Sequence, residues 1–171
     1  NAAHSRTRQL SMGSSVPSES VRSIEIATAA AMEAFGASVA RAASVPITVY
    51  LSGQLAAGKT TFARGYLRGF GHGGAVKSPT FTLVESYELS ARAIHHFDLY
   101  RLEDAEELEF IGLDEYFETG ADCLVEWPER GRSLLPAPDL DIHLTVCGEV
   151  RQGEISAGTE YGEKLLESIA I

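Results

Sequence analysis

The sequence is poor in several residue types. Its 171 residues include two cysteines, one tryptophan and a single asparagine, Asn1. Lysine occurs only as Lys59, Lys77 and Lys164. Cys123 and Cys147 are too few for a disulfide framework and lack Cys-x-x-Cys spacing, so a reduced, cytoplasmic setting is expected. Basic charge is also scarce: 14 Lys+Arg against 24 Asp+Glu give a net charge of −10. That balance argues against gripping nucleic acid through a broad basic surface, while leaving room for a small basic site. No apolar run approaches the ~18 residues of a membrane helix, so no membrane contact is expected. The first residues are polar without an apolar core, so no secretory leader is expected.

What is present is ordinary globular composition, 44% hydrophobic and 22% charged. At about 150 residues per domain, one domain with its own core is expected. Residues 1–20, rich in Ser, Arg and small side chains, read as a flexible N-terminal arm before a domain over 21–171. Val21 to Ile26 reads as a short strand. Thr28 to Ala43 is Ala-rich with Met32, Phe35 and Val39 at helical spacing. Ile47 to Leu51 is a β-branched apolar run that predicts a buried strand. Lys59 to Phe70 predicts a helix with Phe62, Tyr66 and Phe70 on one face, ended by a Gly-rich stretch.

Phe81 to Tyr87 and Ile94 to Tyr100 read as two further strands. Ala105 to Phe117 reads as an acidic helix broken near Gly112. Cys123 to Trp127 reads as a short buried strand. Asp141–Cys147 and Val150–Ile155 read as an antiparallel pair, and Tyr161–Ile169 as a closing helix. Strands and helices mixed in this way imply an α/β layered domain.

The chemistry begins at Gly53-Gln54-Leu55-Ala56-Ala57-Gly58-Lys59-Thr60, which satisfies G-x-x-x-x-G-K-[ST] in full. Backbone N–H groups must turn inward to wrap a polyphosphate, and glycines permit that path. The following helix offers its positive N-terminus to the same anion. Lys59 would reach the phosphates, and the Thr60 hydroxyl would bind Mg²⁺. In a chain so poor in lysine a chance match is rare, and the strand before and helix after suit the motif. Guanine-specific switches usually carry Asn-Lys-x-Asp, which a chain with only Asn1 lacks, so ATP is the expected nucleotide.

Such a loop needs a carboxylate at the end of a buried strand. Glu126 and Asp98 both qualify, and either can also be a paired structural carboxylate. Thr80, beside φ-restricting Pro79 in Lys77-Ser78-Pro79-Thr80, is a candidate switch hydroxyl; the alternative is a plain turn. His95 and His96 are adjacent and, on a strand, face opposite ways, so one buried and one exposed imidazole is expected. Trp127 suits core or lid, Arg130 and Arg132 suit the surface, and Glu103 to Glu109 suits a solvated face.

With these residues in place the chain resembles the TsaE (YjeE) family, small bacterial P-loop ATPases of tRNA threonylcarbamoyladenosine biosynthesis. The matching segments are 53–60, Lys77-Ser78-Pro79-Thr80-Phe81-Thr82-Leu83-Val84, His96-Phe97-Asp98-Leu99-Tyr100-Arg101-Leu102, Gly112-Leu113-Asp114-Glu115-Tyr116 and Glu126-Trp127-Pro128-Glu129-Arg130-Gly131. The resemblance implies a single-domain α/β fold of P-loop type, layered about a central mixed sheet. It implies ATP and Mg²⁺ bound by Gly53, Gln54, Leu55, Ala56, Ala57, Gly58, Lys59, Thr60 and Thr61. It further implies metal ligation by Thr60 and Glu126, and catalytic roles for Lys59, Thr80 and Asp98. The implied partners are TsaB-like and TsaD-like proteins, with tRNA reached mainly through that complex. TsaD transfers the threonylcarbamoyl group to adenosine 37, and hydrolysis by the ATPase supports turnover of the assembly.

The sequence departs from the family's usual Gly-Asp-Leu-Gly-Ala-Gly-Lys-Thr at Gln54 and Ala56. An alanine is costly where φ must be positive. Two other readings remain: a small-molecule kinase, weakened by the lack of an Arg-rich lid, and a nucleotide-gated binding module without hydrolysis.

Overall fold

The computed structural model describes residues 20–90 and 92–171. The expected arm therefore lies outside the described residues, except for Ser20. A seven-stranded sheet organises the chain in the order β1-β7-β6-β2-β5-β4-β3. Its strands are β1 (Val21–Ile26), β2 (Thr48–Gly53), β3 (Val84–Glu88), β4 (Ala93–Asp98), β5 (Asp122–Glu126), β6 (Leu140–Cys147) and β7 (Val150–Ala157). The four central strands β6, β2, β5 and β4 are mutually parallel. Antiparallel strands finish both edges. The helices are α1 (Ala29–Ala42), α2 (Lys59–Gly69), α3 (Glu106–Phe110), α4 (Leu113–Glu118) and α5 (Glu160–Ser168). The expected α/β fold with a central mixed sheet is what forms.

Alternation along the central strands feeds two cores. Val49 and Leu51 of β2, Leu124 of β5 and Ile142 of β6 join α1, α2 and α5 in the larger one. Tyr50, Cys123, Val125 and Phe97 point the other way, to a smaller core closed by Leu108 of α3 and Leu113 of α4.

Helices α1 and α2 meet backbone to backbone. A Cβ on Gly36 would lie 2.2 Å from the Phe62 carbonyl, and one on Gly65 would lie 2.0 Å from that of Glu33. The Ala-rich character of α1 follows from this closeness. Phe35 sets its ring edge against Phe62 at 5.1 Å between centroids. Thr28 caps α1 by accepting from the Ala31 N–H at 3.0 Å.

Several boundaries differ from expectation, three of them for a plain physical reason. The third strand starts at Val84 rather than Phe81, because Leu83 adopts φ 67° and its N–H bonds the Pro79 carbonyl in a turn. β4 stops at Asp98 rather than Tyr100, since the Asp98 side chain accepts the Tyr100 N–H at 2.9 Å and turns the chain. β5 ends before Trp127, whose φ of 56° leads into a 3-10 turn at Pro128–Arg130. The acidic helical stretch divides at Gly112 as expected, with φ 73° there.

Candidate functional site

β2 lies between strands on either side of the central sheet, so the loop leaving its C-terminal end emerges where the strand order reverses. That is the place where open α/β sheets bind ligands. Pairing of β5 with β2 sets Glu126 opposite Leu51, and pairing with β4 sets Asp98 opposite Glu126. Two carboxylates from different strands thus reach the loop side by side, both nearly fully buried.

The loop itself runs through left-handed conformations at Gly53 (φ 138°), Ala56 (φ 63°) and Gly58 (φ 107°). Side chains are also excluded sterically: a Cβ at Gly53 would lie 2.3 Å from the Leu144 carbonyl, and one at Gly58 would lie 2.7 Å from Met32 Cε. Ala56 holds φ 63° despite its methyl, so strain of about 1–2 kcal/mol is built into the loop.

Lys59 opens α2 and is 5% exposed. Its ammonium donates to the carbonyls of Gly53 at 2.6 Å and Gln54 at 2.7 Å, and sits 4.4 Å from the centre of the Trp127 ring. Burial pulls its pKa below the ordinary value, opposed by the charges of Glu126, Asp98 and Glu129. One residue on, the Thr60 hydroxyl donates to Glu126, 3.1 Å from each carboxylate oxygen. Glu126 Oε2 also lies 2.7 Å from His96 Nε2.

A second set of bonds gathers the segment before β3. Ser78 and Thr80 both donate to Asp98 Oδ2, the latter at 3.0 Å, and their hydroxyls are 2.9 Å apart. Asp98 is therefore the post to which 78–80 is tied. Lys59, Thr60, Ser78, Thr80, Asp98 and Glu126 all line one cavity of about 300 Å³, with Trp127 and Tyr100 on its wall.

A model of the family described as threonylcarbamoyl adenosine biosynthesis protein TsaE matches residues 26–153. The chain belongs to the TsaE family. The tRNA threonylcarbamoyladenosine biosynthesis protein TsaE of Haemophilus influenzae is 48% identical over 124 residues, covering 72% of this chain and 78% of that protein. Its counterpart in Bacillus subtilis is 43% identical over 99 residues, covering 58% of this chain and 61% of the relative. The crystal structure of Bacillus subtilis YdiB superposes with a TM-score of 0.76 at 28% identity, over 88% of this chain and 95% of that one. The fold, the family and its biosynthetic role thus agree with the sequence reading.

In this TsaE-family chain, residues 53–61 form the loop and the first turn of α2, with Gln54, Leu55 and Ala56 exposed at the tip. The structure brings Lys59 and Thr60 to Glu126, and Thr80 to Asp98. Neither Arg130 nor Arg132 lines the cavity that those residues share. Arg130 lies 6.0 Å from the Tyr100 ring centre, and Arg132 lies 5.6 Å from that of Tyr50. Lys77 is exposed, as is the acidic run Glu103 to Glu109 apart from Ala105 and Leu108. His95 is half-buried against Ser86 Oγ at 2.8 Å, whereas His96 is wholly enclosed.

Sequence reasoning missed some contributors. Ser78 shares the Asp98 carboxylate, but nothing local in the sequence separates it from an ordinary turn serine. On the far side of the loop a cavity of about 170 Å³ is lined by Thr28, Met32, Ala56, Gly58, Thr61 and Arg151, among others. Thr28 and Arg151 come from opposite ends of the chain, and only the β1–β7 pairing brings them together.

Among the described residues no three His, Cys, Asp or Glu groups cluster to hold a metal by themselves. The Thr60 hydroxyl with the Glu126 carboxylate is instead an all-oxygen pair, with Asp98 beside it. It suits Mg²⁺, which commonly takes one or two carboxylates together with substrate phosphates.

Proposed function

We propose that this chain binds and slowly hydrolyses ATP with Mg²⁺, as an accessory ATPase in the threonylcarbamoyl modification of tRNA adenosine 37. TsaB-like and TsaD-like proteins are its partners in a cytoplasmic complex, and tRNA is contacted mainly through them. The observation that carries the reading is the Thr60–Glu126 bond at the mouth of a glycine loop, with Asp98 in register beside it.

In this reading the loop N–H groups and the α2 N-terminus hold the phosphates. Lys59 exchanges its two loop carbonyls for phosphate oxygens, which offer it full negative charge. Thr60 and Glu126 would hold Mg²⁺, which when bound would supply positive charge against the phosphates. Asp98 keeps Ser78 and Thr80 facing the cavity, where their hydroxyls respond to the terminal phosphate and Asp98 orients the attacking water. The cavity beyond the loop, reached past Ala56, Gly58 and Thr61, takes the nucleoside. Ala56 strain and the retracted Lys59 suit a site that is weak alone and completed by a partner.

The test is ATP hydrolysis by the purified chain, alone and with the TsaB-like and TsaD-like proteins of the same source. Strong stimulation by the pair, abolished by Lys59→Ala, is expected. Binding and assembly without hydrolysis would replace the reading with a non-hydrolysing nucleotide switch.

A further inference from the structure

His96 stands in the interior of β4 with no solvent exposure. Its Nε2 faces Glu126 Oε2 at 2.7 Å, and its Nδ1 is buried without a hydrogen-bond partner among the described residues. An unpartnered buried polar atom typically costs about 1–3 kcal/mol. Packing alone therefore does not account for the residue, since an aliphatic side chain would fill this strand interior, between Ile94 and the paired Leu124, without an orphaned atom. What an imidazole supplies here and an aliphatic chain cannot is one N–H aimed at one carboxylate oxygen.

We propose that His96 is a positioning residue for Glu126. It donates Nε2–H to Oε2 and so fixes the carboxylate rotamer from behind. The hydrogen-bond geometry places a proton on Nε2, the ring nitrogen that faces the carboxylate. Thr60 reaches both oxygens equally, at 3.1 Å, and cannot choose between the two ends of the carboxylate. His96 touches only Oε2, so it breaks that symmetry and leaves Oε1 as the oxygen free to ligate. Partners of this kind commonly change metal affinity by about 10–100-fold when removed.

The inference rests on the Mg²⁺–ATP reading, and the experiment separates the two. ATP binding to the full chain is titrated with Mg²⁺ and again in EDTA. His96→Leu is expected to weaken the Mg²⁺ arm by about tenfold and leave the EDTA arm unchanged. His96→Gln, which can place an N–H near the former Nε2, is expected to recover most of the loss. Equal weakening in both arms, or none in the Mg²⁺ arm, overturns the positioning role and leaves the ATP reading intact. A wild-type chain that binds ATP in neither arm overturns both.

A further measurement needs no variant. Long-range ¹H–¹⁵N correlation of the wild-type imidazole is expected to show the Nε2–H tautomer. An Nδ1–H tautomer overturns the proposal, even if neither substituted chain folds.

Discussion

Strand β5 carries a buried carboxylate at each end, Asp122 and Glu126, and the two are held in opposite ways. Both lie on the α2 face of the sheet, by the alternation that puts Leu124 there. Asp122 is fully buried and bound by everything around it. Arg92 Nε donates to it at 2.7 Å, the Tyr66 hydroxyl at 2.6 Å and the Ile47 N–H at 3.1 Å. Arg92 is fixed in turn by the carbonyls of Ala43 and Val45 and lies 4.6 Å from the Phe70 ring centre. Among the described residues the Glu126 carboxylate receives only a threonine hydroxyl and a histidine, while the nearby ammonium of Lys59 is bound to loop carbonyls.

Strain is divided in the same way. The positive-φ non-glycine positions, among the described residues, are Ala56, Leu83 and Trp127, all near the loop end of the sheet. Backbone strain of this kind collects at functional sites and persists because rigid surroundings hold it. One end of the strand is bound into the fold, and the other is the end proposed to take the ligand.

The comparison can be broken most forcefully at its anchored end. Asp122→Ala leaves a mostly buried Arg92 without its counter-charge, and a loss of about 3–5 kcal/mol in urea unfolding is expected. Glu126→Gln should instead leave the unfolding midpoint close to that of the parent while abolishing the Mg²⁺-dependent part of ATP affinity. If both substitutions unfold the chain equally, the division of labour along β5 is wrong.

A subtler contrast is Ala56→Gly, which relieves the left-handed alanine. Glycine's greater freedom in the unfolded chain takes back part of the gain, so a net stabilisation of about 0.5–1 kcal/mol is expected. The smallest effect concerns the strand between the two carboxylates. Burial, with Asp122 second, pushes the Cys123 thiol from 9.0 up to about 12. Above pH 9 the unfolded chain gives up this proton while the folded chain keeps it, so stability falls as pH rises from 9 toward about 12. At pH 8 an alkylating reagent should therefore label exposed Cys147 and spare Cys123 until the chain is denatured.

The glycine loop was legible because its whole specification is contiguous, from the β-branched strand through the glycines to Lys59 and Thr60. The carboxylates were legible as strand-end candidates. That they stand side by side follows from the β4–β5 register, which no local pattern contains. The anchored end was missed altogether. Its members Tyr66, Arg92 and Asp122 come from α2, the turn before β4 and the start of β5, and the expected strand began at Cys123, one residue past the aspartate. The opposed histidines followed from strand alternation, yet the partner of the buried one is 30 positions away. Leu83 misled for a simpler reason: a β-favouring side chain gives no sign of a left-handed backbone, so the third strand was extended back to an exposed Phe81.

Trp127 is the only indole in the chain, and a lysine ammonium rests 4.4 Å from its ring centre. Light absorbed selectively at the red edge of the protein spectrum is thus taken up at a single point, against the side chain proposed to move when phosphate arrives. The emission of the unlabelled molecule is a gauge of where Lys59 stands. Departure of the ammonium should change its colour or intensity before any chemistry occurs, with no dye and no second tryptophan to blur the signal.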